Sequence, residues 1–397
     1  MQPLEGRHVW FVGIGGAGLS SYAVLSAAWG AEVGGWDRVE TPYLAYVRAA
    51  GIPVTIAPDP PEPPAGAEVV VSTAFSGRAD GRSRADFLAE LVSLRDAIVV
   101  AGAHGKTTTA AMIAFCLDRL GLDPAFLIGG EVPQLGGNAR AGAGWLVVEG
   151  DESDRTVAAL RPQVAVVTNV DLDHHTTFAS PAEVADLFER WLVHVPHVVR
   201  GEELKPVDVP LAVPGEHNRR NAACALAAVE LAGVARADAA RVLGEFRGVR
   251  RRLELRGERD GAQVYDDYSH HPTEIAAALA ALREGSPDGR LLVLFQPHLF
   301  SRTRHVAREL AGALAAADAV CITDVYPARE QPLEGVSGRL VVDALAELRP
   351  GMPIGWAPTV EDGVRFLQGR ARAGDRVVTI GAGDVDRAAA LLVEREQ

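Results

Sequence analysis

One short stretch restricts the fold of this 397-residue chain more than any other. The apolar run AIVVA leads into a glycine turn, GAHGKT, and then into TTAAMIAFCL, which has the composition of a helix. A strand, a glycine turn and a helix in direct succession are typical of folds in which helices cover parallel strands. The turn at Gly102–Thr107 therefore predicts an α/β fold with a place for an anion at the end of the strand.

Strand-like and helix-like segments alternate along the whole chain, in three blocks. We predict an α/β protein of three domains: a Rossmann-like parallel sheet at 1–96, a central P-loop ATPase-like domain at 97–247 and a Rossmann-like domain at 248–397. The boundaries lie near Asp96, before AIVVA, and near Gly248, before a basic run. Domains of about 150 residues agree with this division.

Composition excludes several classes of protein. The formal net charge of −13 argues against general nucleic-acid binding, which needs a basic surface. No apolar run reaches the ~18–20 residues that span a bilayer, and the N-terminus does not resemble a signal peptide. The three cysteines lie far apart in apolar segments, which favours reduced thiols and a cytoplasmic protein. The sequence leaves the oligomeric state open.

The turn at Gly102–Thr107 has the side chains of a phosphate-binding loop. Gly102 and Gly105 let backbone amides face one anion, and the following helix adds the positive end of its dipole. Lys106 can reach the outer phosphates, and the Thr107 hydroxyl is a suitable ligand for Mg²⁺. The alternative is a glycine turn with an incidental lysine, but the chain has only two lysines, Lys106 and Lys205.

A second glycine turn lies near the N-terminus. The sequence GIGGAG at Gly13–Gly18 follows a strand-like run and fits the pattern G-x-G-x-x-G, and Asp37 ends the next strand. This spacing resembles a dinucleotide fingerprint. The same chemistry suits a nucleoside diphosphate on the helix N-terminus, and the alternative is an ordinary tight turn between strand and helix.

Acidic and histidine side chains follow two further strands of the central block. Glu149, Asp151, Glu152 and Asp154 come directly after the run LVV, where a second Mg²⁺ ligand is expected; the alternative is a solvated acidic turn. The sequence DLDHH, with Asp173, His174 and His175, ends the next strand. A histidine there can ligate a metal, position a substrate or belong to a polar loop.

The third block carries the remaining charged clusters. YDDYSHHPTE places Asp266, Asp267, His270 and His271 before a helix that we expect Pro272 to open. FQPHLFSRTR places His298, Arg302 and Arg304 after a strand, and a basic run supplies three further cations at Arg250–Arg252. Cations at strand ends are what a phosphoryl-transfer site needs.

Taken in order from residue 8 to residue 384, these motifs resemble the landmarks of the Mur ligases. The segments that carry the resemblance are FVGIGGAGLSS, AGAHGKTTT, EGDESD, TNVDLDHH, VPGEHNRRNAACAL, GVRRRLEL, DDYSHHPTE, FQPHLFSRTR, DVYPARE and TIGAGD. Within the family, DDYSHHPTE with FQPHLFSRTR resembles the member that adds L-alanine to UDP-N-acetylmuramate. The resemblance would explain the two glycine turns, because the first would bind the UDP-sugar and the second ATP.

The resemblance implies an ATP-dependent amide ligase of peptidoglycan precursor synthesis. ATP would phosphorylate the muramate carboxylate to an acyl phosphate, which the amine of L-alanine would attack. A carboxylate is a poor electrophile, and its phosphorylation supplies a leaving group. Mg²⁺ and cationic side chains would offset the negative charge.

The resemblance also assigns residues to roles. Catalytic roles fall to Lys106, His174, His270 and Arg302. ATP binding falls to Gly102, Ala103, His104, Gly105, Lys106, Thr107, Thr108, Asn218, Asn221, Arg252 and Asp267. UDP-sugar binding falls to Gly13, Ile14, Gly15, Gly16, Ala17, Gly18, Asp37 and Ser72. Metal binding falls to Thr107, Glu149 and His174.

The chain departs from the family pattern in places. Ala103 stands where threonine is usual and Gly150 where alanine is usual, and only residues 196–212 replace a longer, strand-rich insertion. The rival functions are a ligase for a recycled peptide and a non-catalytic Mur-ligase-like binding protein. A nicotinamide dehydrogenase would explain only the first glycine turn, and a P-loop kinase only the second. The helix-like segment PAEVADLFERWLVHV lacks the lysine usual in later-step ligases, which favours the alanine-adding member.

Overall fold

A computed structural model describes residues 2–172, 177–328 and 330–394. The chain divides into two compact units. One contains the residues up to Pro210 together with Arg220–Phe246, and the other contains Leu211–Arg219 and the chain from Arg247 onward. Among the described residues, no helix combines the length and the apolar character needed to cross a bilayer.

The first sheet has five strands, β1 His8–Val12, β2 Glu32–Asp37, β3 Val54–Ile56, β4 Glu68–Val71 and β5 Arg82–Ser83. Its helices are α1 Ala17–Ala28, α2 Leu44–Ala49 and α3 Arg84–Ser93. All strands are parallel, in the order β3-β2-β1-β4-β5. After β1 the chain continues to β2 on one side of β1 and later to β4 on the other side. This change of direction predicts a crevice at the carboxyl ends of β1 and β4.

The second sheet has six strands, β6 Ala97–Ala101, β7 Ala125–Val132, β8 Gly137–Arg140, β9 Leu146–Glu149, β10 Val164–Val167 and β11 His197–Arg200. Its helices are α4 Lys106–Arg119, α5 Pro181–Leu192, α6 Glu216–Leu231 and α7 Arg236–Leu243. The order is β11-β10-β6-β9-β7-β8. β6 is flanked by β10 and β9, so the residues after β9 and β10 end beside the turn that follows β6.

A continuous hydrophobic core joins the first two sheets within one unit. Val9 and Phe11 of β1 belong to the same buried cluster as Val99 of β6 and Trp191 of α5. The alternate residues of β1, Trp10 and Val12, face a separate cluster on the other side of the first sheet. This period of two is the expected pattern of a strand buried on both faces.

The third sheet lies in the second unit and has six strands, β12 Glu254–Arg259, β13 Ala262–Asp267, β14 Leu291–Phe295, β15 Ala319–Thr323, β16 Ile354–Ala357 and β17 Arg376–Ile380. Its helices are α8 Pro272–Glu284, α9 Phe300–Leu314, α10 Arg339–Leu348, α11 Val360–Gln368 and α12 Asp386–Val393. The order is β12-β13-β17-β14-β15-β16. Val293 and Phe295 face one buried cluster and Leu292 and Leu294 the other, so helices cover both faces.

The expected α/β fold with three sheets is confirmed, and two edge pairs depart from parallel pairing. β7 and β8 are antiparallel, and so are β12 and β13. Asp260 and Gly261 alone join β12 to β13, with φ of 50° and 81°. Two successive residues with positive φ are typical of a tight hairpin, which the dipeptide Asp-Gly favours. The expectation of buried, reduced cysteines is also confirmed, since all three are free and buried.

Candidate active site

The N-terminal glycine motif occupies the turn between β1 and α1 and the first turn of α1; its members are Gly13, Ile14, Gly15, Gly16, Ala17 and Gly18. The Gly15 amide donates to Asp37 Oδ2 at 2.8 Å, and Thr41 Oγ1 donates to the Gly15 carbonyl at 2.8 Å. A Cβ atom at Gly15 would lie 2.9 Å from Asp37 Oδ2 and from Thr41 Oγ1. Asp37, at the end of β2 as expected, therefore holds the turn in shape.

Ser72 follows β4 and lies directly against the same turn. A Cβ atom at Gly13 would collide with Ser72 Oγ and would lie 2.8 Å from Phe75 Cδ2. Ser72 Oγ is buried and has no hydrogen-bond partner among the described residues. A buried hydroxyl without a partner costs free energy, so the place beside Gly13 suits a ligand that can accept or donate a hydrogen bond.

The second glycine turn lies between β6 and α4, and backbone geometry requires glycine there. Gly102 and Gly105 have φ of 124° and 80°. A Cβ atom at Gly102 would lie 2.9 Å from the Asn169 carbonyl oxygen, and one at Gly105 would collide with Asn221 Oδ1. Helix α4 begins at Lys106, so its amides face the turn, together with the positive end of the helix dipole.

Lys106 is held across the turn rather than extended into solvent. Its Nζ donates to the carbonyl oxygens of Gly102 and Ala103 at 2.7 and 3.2 Å and to Glu152 Oε1 at 2.9 Å. Burial opposes the charge of Lys106, but Glu152, Glu149 and Asp151 outweigh it and hold the pKa of Lys106 above its usual value. The ammonium therefore stays charged and lies against the glycine turn.

Glu149 joins the acidic loop to α4. It ends β9, next to β6, and its Oε1 accepts from Thr107 Oγ1 at 3.0 Å. Its Oε2 accepts from the Gly129 amide at 2.7 Å. A hydroxyl oxygen and a carboxylate oxygen at this separation match two neighbouring ligands of an octahedral Mg²⁺, whose bonds of about 2.1 Å place adjacent oxygens about 3 Å apart.

Residues after β10 brace the turn from its other side. Asn169 Oδ1 accepts from the His104 amide at 2.9 Å, and Thr168 Oγ1 donates to the His104 carbonyl at 2.6 Å. His104 Nε2 lies 3.1 Å from Asp171 Oδ2. Sequence analysis missed Thr168, Asn169 and Asp171 because it singled out only the acid and histidines that follow them. Their position at the end of a strand neighbouring β6 is the signal that could have found them.

Two asparagines assigned to ATP lie on α6. Asn221 Oδ1 lies against Gly105, as the collision of a Cβ atom there indicates. Asn218 belongs to the second unit, where its Nδ2 donates to the Pro214 carbonyl at 2.7 Å. His174, together with Asp173 and His175, lies outside the described residues.

In the second unit, Asp267 organises the end of β13. Its Oδ2 accepts from the Leu253 amide at 2.7 Å and its Oδ1 from the Ser269 amide at 2.8 Å. Both carboxylate oxygens thus fix the backbone on either side of the strand end. Arg252 stacks on Tyr268, with Cζ 5.4 Å from the ring centroid, and its Nη1 lies 3.7 Å from Glu274 Oε1.

Arg251, the neighbour of Arg252, has a structural role that the basic run did not reveal. Its Nε lies 3.2 Å from Asp266 Oδ2, and its Nη2 donates to the Gly381 carbonyl at 2.7 Å. Burial raises the pKa of Asp266 to about 6 against the opposing charge of Arg251. The three arginines of the run are therefore not equivalent, and a local sequence pattern could not tell them apart.

His270 and Arg302 lie in a cluster of rings in the second unit. His270 Nδ1 lies 3.1 Å from the Tyr268 carbonyl oxygen, which can only accept, so Nδ1 carries the proton of the neutral ring. The ring of His298 lies 5.8 Å from that of His270 and stacks on Tyr326 at 5.9 Å. Arg302 Nη1 lies 3.3 Å from His298 Nδ1. Pro272 opens α8, which confirms that expectation.

Mostly parallel sheets, a Gly-Lys-Thr turn before a helix and a threonine–glutamate pair beside that turn are typical of a nucleotide-binding α/β protein. Three family models match in succession: "Mur ligase family, catalytic domain" at residues 8–95, "Mur ligase middle domain" at residues 100–198 and "Mur ligase, glutamate ligase domain" at residues 251–383.

Individual relatives extend this similarity over the chain. The UDP-N-acetylmuramate–L-alanine ligase of Rubrobacter xylanophilus is 39% identical, covering 98% of this chain and 99% of that protein. That of Streptomyces coelicolor is also 39% identical and covers 94% of both chains. The crystal structure of UDP-N-acetylmuramate-alanine ligase from Thermotoga maritima aligns with a TM-score of 0.80 at 26% identity, over 98% of both chains. The chain belongs to the Mur ligase family.

The alignment with the Rubrobacter protein spans 444 positions, more than the 397 residues of this chain. The relative therefore has residues that this chain lacks. Gly150 is a smaller departure with a local reason, since a Cβ atom there would lie 2.9 Å from Val99 Cγ1 and 3.2 Å from Val157 Cγ2. The neighbouring valines occupy the space that an alanine methyl group would need.

Proposed function

We propose that this chain is an ATP-dependent ligase that joins L-alanine to UDP-N-acetylmuramate in peptidoglycan precursor synthesis. The observation that carries the proposal concerns Lys106, which lies in the only Gly-Lys-Thr turn of the sequence. Its charged ammonium group donates a hydrogen bond to Glu152. Relatives named for this reaction match nearly the whole chain at 39% identity, which supports the choice of acid and amine.

Lys106 would act at the phosphate that is transferred. The carboxylate of the acid substrate attacks the terminal phosphate of ATP, an acyl phosphate and ADP form, and the amine of L-alanine then displaces phosphate. Negative charge grows on the transferred group during the first step. Lys106 Nζ is held at the Gly102 carbonyl and α4 begins at the same turn, so the ammonium and the first amides of α4 would meet the developing charge with little reorganisation.

Thr107 and Glu149 would hold Mg²⁺, and their oxygens are of the kind and at the separation that this ion prefers. An ion held there would supply positive charge that offsets part of the negative charge of the phosphates. The Gly129 amide orients the Glu149 carboxylate, which fixes the direction of its lone pairs. We infer that His174 belongs to a second metal site.

We infer roles for the second unit from the family resemblance and from local geometry. Asn218, Arg252 and Asp267 would contact ATP, and Asp267 would do so at a strand end that its own hydrogen bonds fix. His270 and Arg302 would position the alanine and the acyl phosphate. The aromatic neighbours of His270 and the bond from Arg302 to His298 restrict both side chains, which suits positioning.

The first glycine turn would bind the UDP part of the acid substrate, with the diphosphate at the N-terminus of α1 and Ser72 at its side. We further infer that the three sheets correspond to a UDP-sugar domain at 1–96, an ATP domain at 97–247 and a C-terminal ligase domain at 248–397. The requirement for ATP favours a cytoplasmic location.

The test is an assay of phosphate release with ATP, Mg²⁺ and UDP-N-acetylmuramate, in which the amine is L-alanine, glycine, L-serine or a tripeptide. We expect release with L-alanine and a product mass that corresponds to one amide bond. Release only with the tripeptide would favour the ligase for a recycled peptide. Binding of UDP-N-acetylmuramate without release with any amine would favour the non-catalytic binding protein.

A further inference from the structure

Arg84, the first residue of α3, lies beside the start of α1. A Cβ atom at Gly18 would lie 3.3 Å from Arg84 Nη1. One turn further along α1, burial raises the pKa of Tyr22 to about 12, with Arg84 acting in the opposite direction. The guanidinium group is thus at the flank of the glycine turn that would bind the sugar nucleotide, and the Arg84 side chain is only 24% exposed.

On its other side, Arg84 faces the acidic loop after β9. Its Nη2 lies 3.6 Å from Asp151 Oδ2 and 3.6 Å from Asp154 Oδ2, which is longer than a hydrogen bond. Arg84 Nε is buried and has no hydrogen-bond partner among the described residues. A guanidinium group has five donors in a planar fork that fits carboxylates and phosphates, so these long contacts leave its hydrogen-bonding capacity unused.

The same acidic loop reaches toward Lys106. Glu152, the neighbour of Asp151, accepts from Lys106 Nζ at 2.9 Å. The loop therefore meets Lys106 through Glu152 and faces Arg84 through Asp151 and Asp154. Arg84 therefore lies between the start of α1, which follows the first glycine turn, and this acidic loop.

We propose that Arg84 is a positioning residue that binds an anionic group of the sugar nucleotide, and that this group replaces Asp151 and Asp154 as its partner. The anion is either the diphosphate or the muramate carboxylate, since both offer paired acceptor oxygens. The inference rests on the proposed function. It adds to that function a guanidinium group that lies outside both glycine turns. This group would bind anionic oxygens of the sugar nucleotide, and its contacts with Asp151 and Asp154 would be lost when the ligand binds.

The experiment measures dissociation constants by calorimetry for wild type, Arg84→Gln, Arg84→Lys and Arg82→Gln. Arg82 is a matched control, because it lies two residues earlier and pairs with Glu90 at 2.6 Å. We expect Arg84→Gln to raise the Kd of UDP-N-acetylmuramate by about 10- to 100-fold, as loss of a hydrogen-bonded charge implies. Arg84→Lys should show a smaller increase because it keeps the charge but loses the fork, and Arg82→Gln should show none.

A second ligand identifies the anion. UDP-N-acetylglucosamine has the same diphosphate but no muramate carboxylate. An equal loss of affinity for both ligands in Arg84→Gln assigns the diphosphate, and a loss confined to UDP-N-acetylmuramate assigns the carboxylate. The Kd of an ATP analogue should not change with either substitution of Arg84.

Asp154→Asn tests the exchange of partners with an effect of opposite sign. It removes a competing carboxylate, so we expect tighter binding of UDP-N-acetylmuramate, whereas a purely structural ion pair would give weaker or unchanged binding and overturn the exchange. An unchanged Kd in Arg84→Gln would overturn the assignment of Arg84, and if that variant does not fold, Arg84→Lys decides in its place. Wild type that binds the sugar nucleotide without forming an amide would contradict the proposed function but not the inference.

Discussion

The two glycine turns of the first unit have similar backbone surroundings but carry different side chains. Each follows a strand that has parallel neighbours on both sides, and each leads into the N-terminus of a helix. In both, a neighbouring element closes so tightly on a glycine that a Cβ atom would collide, with Ser72 at Gly13 and Asn221 at Gly105. Both turns can therefore bring an anion to the amides at the start of the helix that follows, α1 or α4.

The difference lies in the charges attached to each turn. The first motif contains no cation, and its amide at Gly15 is tied to Asp37. The second includes Lys106, held by Glu152, and Thr107, bonded to Glu149. A turn with only backbone donors is suited to bind a diphosphate that does not react. A turn with an ammonium and a metal site can also stabilise the charge that develops when a phosphate is transferred.

The largest expected effect is that of Lys106→Ala. Removal of the cation at the transferred phosphate should lower turnover by about 10²- to 10³-fold. Binding of UDP-N-acetylmuramate should not change, because the first turn does not depend on Lys106. Phosphate release at saturating substrates measures the first quantity and calorimetry the second.

The same substitution should also reduce stability, and a second variant separates the two effects. Glu152 is only 3% exposed, so loss of its cationic partner should lower the free energy of unfolding by about 3–5 kcal/mol. Lys106→Met combined with Glu152→Gln removes both charges and should recover much of the melting temperature without recovering turnover. Lys205→Ala, at the other, exposed lysine, is the control. Turnover close to wild type in Lys106→Ala would contradict the role of the second turn.

A reciprocal pair of glycine substitutions tests the assignment of the two turns. Gly15→Val places a side chain against Asp37 and Thr41, and Gly105→Ala places one against Asn221 at a φ of 80°. We expect Gly15→Val to raise the KM for the UDP-sugar and Gly105→Ala the KM for ATP, each by about 10- to 100-fold, which corresponds to a loss of about 1.4 to 2.7 kcal/mol of binding free energy. If each substitution changes the other KM, the two turns have been assigned the wrong way round.

The side-chain contacts of the two turns also show what could be predicted from the sequence. The turns themselves are local patterns, so their strand–turn–helix geometry and the position of Glu149 at a strand end could be predicted. The partner of Lys106 could not, because Glu149, Asp151, Glu152 and Asp154 are equivalent in a linear pattern, and the family resemblance singled out only Glu149. Only the pairing of β6 with β9 and the path of the following loop bring Glu149 to Thr107 and Glu152 to Lys106.

Long-range contacts account for the other omissions. Asn169 braces the second turn because β10 is the neighbour of β6, and strand order is not encoded in any local motif. Arg84 lies 67 and 70 residues before its acidic partners Asp151 and Asp154, in a helix whose sequence shows only ordinary amphipathic character. Contacts of this kind depend on how the sheets pack, which hydrophobic patterning determines only in outline.

Glu149→Gln tests the metal site that we propose beside the second turn. Its effect should be smaller than that of Gly15→Val or Gly105→Ala. The amide keeps one acceptor oxygen, and its NH₂ group replaces either the oxygen that would face the cation or the oxygen that accepts from the Gly129 amide. We expect the Mg²⁺ concentration for half-maximal rate to rise about 10-fold, the lower end of the effects seen when metal sites are altered. Thr107→Ser keeps the hydroxyl and should stay close to wild type. A magnesium requirement that is unchanged in Glu149→Gln would remove Glu149 from the site.

The smallest effect is expected for Asp37→Ala, in the turn that lacks a cation. Loss of the charged acceptor of the Gly15 amide should lower the free energy of unfolding by about 1–3 kcal/mol. The KM for the UDP-sugar should rise only a few-fold, since the amides of the turn remain, and the KM for ATP should not change. Asp37→Asn retains an acceptor and should lie between Asp37→Ala and wild type in both quantities.

Comparison of the change in unfolding free energy with the change in the KM for the UDP-sugar then identifies the role of Asp37. If it only holds the turn, affinity for the sugar nucleotide should follow stability, and Asp37→Asn should recover both together. If Asp37 instead accepts a hydrogen bond from the ribose, as acids at this place do in dinucleotide sites, Asp37→Asn should recover stability while the KM stays raised. The bond from the Gly15 amide to Asp37 Oδ2 favours the first outcome, in which Asp37 contributes to binding only by holding the turn in shape.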